Sequence, residues 1–89
     1  MNIVADNEVM SFLKDYFADK PNKAVRLQLV EVCCGNADLE MIYDDAREDD
    51  ICVEVDGVKF VADRQFGFLI NNVELEKTVF GVDIKKKYN

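Results

Sequence analysis

Hydrophobic residues along this chain first recur at helical spacing and then at strand spacing. Val9, Phe12, Leu13, Tyr16 and Phe17 fall on one stripe of a helix while Lys14 and Asp15 face water. Asp6 stands where a capping side chain belongs, and Pro21-Asn22 where a helix stops. From Val25 the period becomes two. The run Val25-Arg26-Leu27-Gln28-Leu29-Val30-Glu31-Val32 predicts a strand whose apolar phase slips after Leu29, so a bulge or cover on both faces is expected. Leu39-Glu40-Met41-Ile42-Tyr43 predicts a second strand, and Cys33-Cys34-Gly35 stand at the mouth of the connection between the two.

Asp56-Gly57 is the strongest local signal, because both residues tolerate the positive φ of a two-residue type I′ turn and apolar runs flank them. The hairpin it predicts pairs Val55 with Val58, Glu54 with Lys59, Val53 with Phe60 and Cys52 with Val61. In that register Cys52 points away from Ile51, Val53 and Val55, and a small buried or half-buried structural thiol is expected there. Asp63 is placed to cap a short helix through Phe66, Phe68, Leu69 and Ile70, after which Asn71-Asn72 turns the chain. Val73-Glu74-Leu75-Glu76 and then Phe80, Val82 and Ile84 alternate as strands do. The predicted order is helix, four strands, short helix, two strands: an α+β domain, mostly β, spanning residues 1–89 without internal repeat or linker.

Composition narrows the function. With 89 residues and 49% apolar content there is material for one small core. A net charge of -7, from 18 acidic against 11 basic residues, argues against nucleic acid as a partner. Asp6, Glu8, Lys14 and Asp15 interrupt the first twenty residues, and no apolar run is long enough to span a bilayer, so a cytoplasmic protein without a membrane partner is expected. There is no histidine, so soft-metal or redox chemistry has to pass through sulfur. Three cysteines make no disulfide framework in a reducing compartment, and the adjacent pair Cys33-Cys34 could close only a strained ring. Asp44, Asp45, Glu48, Asp49 and Asp50 crowd one connection. They read as a solvated loop, since the spacing and interior glycine of a calcium loop are missing.

The element order, with Cys33-Cys34-Gly35, the run from Asp50-Ile51 to Val55-Asp56-Gly57-Val58-Lys59, Asp63 and Phe68-Leu69, resembles the HesB/IscA-like family of A-type iron-sulfur carriers over most of the chain. Members of that family show a Cys-Ser-Gly turn before an alternating strand, a Gly-Val-Lys hairpin with an Asp after it, a short Leu-rich helix, and a last strand beginning Gly-Phe. The pieces here are Cys33-Cys34-Gly35, Gly57-Val58-Lys59 with Asp63, Phe66 to Leu69, and Gly81-Val82. Cys33 then takes the place of the family cysteine and Cys34 that of its serine. The sequence departs from the family pattern in two places. Lys85-Lys86-Lys87-Tyr88-Asn89 has no cysteine where the carriers have a Cys-Gly-Cys tail, and Leu69-Ile70-Asn71-Asn72 replaces a Leu-Asp-Gly word.

The resemblance implies a compact domain with an N-terminal helix, about six short strands in mixed or antiparallel sheets and a short second helix. It implies a carrier rather than an enzyme, a [2Fe-2S] cluster or iron as cargo, and iron-sulfur scaffold and acceptor proteins as partners. An all-thiolate cluster takes four cysteines, and one chain offers only Cys33 and Cys34 side by side. A homodimer that brings two such pairs to its axis would supply the four, with Gly35 bending the backbone so that neighbouring thiols converge. Two other readings stand beside this one. The scaffold, holding no cofactor, would serve as a protein-interaction module, or one thiol would do redox chemistry. The second is opposed by the absence of a histidine base and by the nearby charges of Glu31 and Asp38.

Overall fold

The computed structural model describes residues 1–31, 37–65 and 67–85. A short strand, β1 (Asn2–Val4), precedes the helix α1 (Asn7–Phe17). Asp6 caps that helix, its Oδ1 accepting the Val9 N–H at 2.9 Å. The strands β2 (Lys23–Glu31), β3 (Ala37–Asp45), β4 (Ile51–Val55) and β5 (Val58–Ala62) follow, then one 3-10 turn over Gly67–Leu69, then β6 (Asn72–Thr78) and β7 (Gly81–Ile84). The mostly β, α+β architecture matches the expected class, with β1 added. Three residues are too few for an alternating pattern to register in the sequence.

Two sheets form, one ordered β3-β2-β5-β4 and the other β1-β6-β7. The first mixes antiparallel β2–β3 and β4–β5 pairs with a parallel β2–β5 pair; in the second, β1 runs parallel to β6 and β7 antiparallel to it. Val9, Met10 and Leu13 of α1 share one core with Val25, Leu27, Val58, Phe60 and Ala62 of the larger sheet and Val73, Leu75 and Val82 of the smaller. At the far end of the helix Tyr16 and Phe17 close on Tyr43 of β3, with ring centroids 4.5 and 5.5 Å away.

The Asp56-Gly57 hairpin has the register its sequence predicts, from Val55↔Val58 through Cys52↔Val61, and both turn residues have positive φ, 53° and 85°. Two expectations are corrected by local geometry. Phe80 is not a strand residue: Thr78 pairs with Gly81, which puts Val79 and Phe80 in the turn between β6 and β7. Asn72 belongs to β6, pairing with Asn2, rather than to a turn. No bulge interrupts β2, whose pairing with β3 runs unbroken from Lys23↔Asp45 to Glu31↔Ala37, and Val32, where the phase slip ends, lies outside the described residues. Without a bulge, β2 is a strand covered on both sides.

The cover on the second side comes from the chain between β3 and β4. These are opposite edges of the sheet, so residues 46–50 have to cross β2 and β5 to join them. Arg26, on the face of β2 away from the core, lies beneath that crossing and is only 4% exposed. Its Nε donates to Asp44 Oδ2 at 2.9 Å, its Nη1 to Asp50 Oδ1 at 3.0 Å, and its Nη2 to Asp50 Oδ2 at 2.7 Å and to the Asp45 carbonyl at 3.0 Å. Asp50 Oδ2 also accepts the Arg47 N–H at 2.8 Å. Ala24 and Val61, on the same face as Arg26, are fully buried although they are not part of the main core. The acidic connection is therefore not simply a wet loop. Two of its carboxylates neutralise a buried cation, and Asp45, Glu48 and Asp49 remain exposed.

Removing the cation would strand the Asp50 carboxylate, whose side chain is 4% exposed. Arg26→Met is expected to cost about 3 to 5 kcal/mol in urea unfolding, the usual penalty for breaking a buried pair from one side. Adding Asp50→Asn to it should recover part of that loss, whereas a defect of packing alone would not be relieved.

Acid should reach the same cluster. The Arg26 hydrogen bonds hold the Asp50 carboxyl below its ordinary value; for Asp44 the Asp45 backbone N–H does so first and Arg26 second. Groups shifted downward contribute fully above the ordinary carboxylate value of about 4 and lose that contribution as pH falls through their lower native values. The unfolding midpoint should stay level from neutral pH to about 5 and drop below about 4. In Asp50→Asn it should start lower and fall less steeply.

Candidate functional site

Strands β2 and β3 form a ladder nine residues long whose last pair is Glu31↔Ala37. The connection that closes it holds Cys33, Cys34 and Gly35. These three residues, the expected ligands and the expected turn former, lie outside the described residues, as does Phe66 of the expected short helix. The structure does define the ladder that leads to them. Leu27 is fully buried and Leu29 packs against the core, so the approach to the connection is anchored on its inner face.

Cys52 is placed differently from the sequence expectation. Its pairing with Val61 is as predicted, yet the thiol is exposed while Val61 is fully buried. The reason is its position in the sheet. Val61 lies on an inner strand on the face that Arg26 and the crossing cover, whereas Cys52 is one strand further out, on the edge strand β4. A small apolar side chain opposite a buried valine reads as buried in the sequence, because alternation identifies a face but not whether that face is covered.

Among the described residues no three Cys, Asp or Glu side chains come together to hold a metal ion. The acidic connection is spent, since Asp44 and Asp50 face the Arg26 guanidinium rather than an open centre. Asp63, expected to begin a short helix, accepts the Gln65 N–H at 2.8 Å through its side chain and the Gly67 N–H at 2.7 Å through its carbonyl. It borders a cavity of about 200 Å³ lined also by Leu27, Gln28, Leu29, Gly67 and Ile70. That cavity lies beside the half of β2 leading to the cysteine connection, and no sequence pattern marks it, because β2 and the segment 63–70 meet only in the folded chain. Any thiolate chemistry beyond Cys52 thus rests on Cys33 and Cys34. Among the described residues, no helix is long and apolar enough to cross a membrane.

Comparison with known proteins bears out the fold. No protein-family model and no curated protein sequence matches the chain. Among solved structures it is similar to Escherichia coli SufA, a protein involved in biosynthesis of iron-sulfur clusters, with a TM-score of 0.72 and 18% identity over 94% of this chain and 77% of that one. It is also similar to IscA with its [2Fe-2S] cluster, TM-score 0.61 and 12% identity over 93% and 78%. A protein from Aquifex aeolicus solved by NMR gives a TM-score of 0.58 and 24% identity over 98% and 96%. The chain shares its fold with these three proteins.

The exposure of Cys52 has a direct check. In the native, reduced protein it should be alkylated within about tenfold of the rate of an unstructured peptide thiol, as accessibility demands. Peptide mapping after a short maleimide pulse reads this, and protection of Cys52 until unfolding would contradict its placement on the open edge.

Proposed function

We propose that this chain is a non-enzymatic carrier of an iron-sulfur cluster, with Cys33 and Cys34 of two copies as the thiolate ligands. The observation that carries the reading is the shared fold with SufA and with IscA solved holding a [2Fe-2S] cluster. The sequence supports it by placing its two adjacent thiols in the short connection at the end of the β2–β3 ladder, the place of the family's cysteine turn. With no three-ligand group among the described residues, a single copy falls short of the four thiolates that an all-cysteine cluster takes. Two copies meeting at that end of the ladder would supply them, and Gly35 would let both thiols of each pair turn the same way.

In this reading the cluster is cargo. The chain supplies thiolates and a rigid base for them, and it takes the cluster from a scaffold protein and passes it to an acceptor in the cytoplasm. Thiolates suit an iron-sulfur cluster because sulfur bonds covalently to its iron, and four negative sulfurs can sit together only when metal replaces their protons.

Anaerobic reconstitution with iron and sulfide should give a coloured dimer with about two irons per dimer, the content of one [2Fe-2S] unit. Cys33→Ser and Cys34→Ser should each abolish colour and bound iron, and Cys52→Ser should leave both intact. A colourless monomer under all these conditions would leave the interaction-module reading in place. Colour lost only with Cys52→Ser would mean that the ligand is the exposed edge thiol.

A further inference from the structure

The β6–β7 hairpin turns on two apolar residues that pack against nothing. Val79 and Phe80 are 91% and 98% exposed, at positions where the other tight hairpin of this chain has Asp56-Gly57. The turn is nonetheless well made. Its positive φ, 122°, falls on Gly81, so neither tip residue needs one. Thr78 Oγ1 accepts the Phe80 N–H at 3.1 Å and donates to the Gly81 carbonyl at 3.2 Å. Behind it, Lys77 Nζ donates to the Thr78 carbonyl at 2.9 Å and sits 5.2 Å from the centre of the Phe12 ring. The hairpin is anchored to α1, and its two most projecting side chains contribute nothing to that anchorage.

The surrounding charge indicates what such a tip would meet. Glu76 and Asp83 face each other directly across the hairpin, both exposed and with no ion pair among the described residues. Like charges in register cost stability unless something outside relieves them. Glu8 and Asp15 flank Phe12 on the helix at neighbouring surface positions, so carboxylates border Lys77 from the helix as well as from the hairpin.

We propose that the Val79-Phe80 tip docks into an apolar cleft rimmed by Lys and Arg side chains on a partner protein. A second copy of this chain would bring the same carboxylates and a net charge of -7 against the tip, and an anionic lipid surface would repel it likewise. Two side chains bury far less than a permanent interface needs, so the contact is a transient one whose encounter is steered by charge. The proposal goes beyond the carrier reading and does not depend on whether a cluster binds.

The chain has no tryptophan, so Phe80→Trp puts a single fluorescent reporter at the tip, and Phe68→Trp puts a control at another aromatic that is 70% exposed. The probes are a helical peptide of Leu and Lys, its Leu and Glu counterpart, and vesicles of phosphatidylglycerol. The Leu and Lys peptide should blue-shift the reporter at position 80, with affinity falling about tenfold on going from low to physiological salt. Val79→Ser added to Phe80→Trp should weaken it about fivefold, as loss of an apolar anchor does. The control at position 68 should not respond. The proposal is overturned if no probe shifts the reporter, if the acidic peptide shifts it equally, if the control responds as strongly, or if vesicles alone shift it. It is also overturned if the unmodified chain dimerises with concentration and Phe80→Ser abolishes that dimer, which would assign the tip to a second copy. Circular dichroism melts of each variant confirm that the fold is retained.

Discussion

A single buried guanidinium decides how the larger sheet is closed. Arg26 lies in the middle of an inner strand, where a charge on the wrong face would normally be prohibitive to bury. It is tolerated because each of its three side-chain nitrogens donates a hydrogen bond. Asp50 receives it in a two-pronged contact, Asp44 receives its Nε, and the Asp45 carbonyl takes a further bond. Those partners come from the end of β3 and from the segment that runs to β4. The cation therefore holds both ends of the one connection that links opposite edges of the sheet, and the covered face beneath it is a consequence.

This clamp also bears on the candidate site, through β2. The ladder of β2 and β3 is fastened at one end by Arg26, Asp44 and Asp45, and its other end, beyond Glu31↔Ala37, carries the two adjacent cysteines. Five residue steps along the strand, about 17 Å, separate Arg26 from Glu31, the last paired residue of β2. A ladder that is clamped at one end and packed on the core along its inner face is a stiff base for a short thiol-bearing connection.

The hairpin tip and the edge thiol Cys52 show the same economy in different ways. Each is a small apolar or soft group that alternation alone would assign to an interior, and each ends in solvent because of where its strand stands. Cys52 is exposed because β4 is an edge, and Phe80 because β6 runs on to Thr78 and the turn falls later in the chain than the apolar period suggests. The cost of leaving Val79 and Phe80 in water is borne by a hairpin whose fastening to α1 does not involve them.

Local chemistry made much of the fold legible in the sequence. The capping of α1 by Asp6, the register of the Asp56-Gly57 hairpin and the pairing of the two strands beside the cysteines all depend on residues close together in the chain, where spacing and turn preference act directly. The adjacent thiols Cys33 and Cys34 are candidates by residue type alone, and they lie outside the described residues. The parallel pairing of β2 with β5, the joining of β1 to β6, the cavity beside Asp63 and the Arg26 clamp were decided by the tertiary structure. Arg26 meets Asp44 and Asp50 across 18 and 24 residues of sequence, and a run of carboxylates shows nothing of a cation that only the folded sheet brings beneath it. Burial follows from which strands lie at the edges, and strand order is set by the packing of the whole chain rather than by any segment of it.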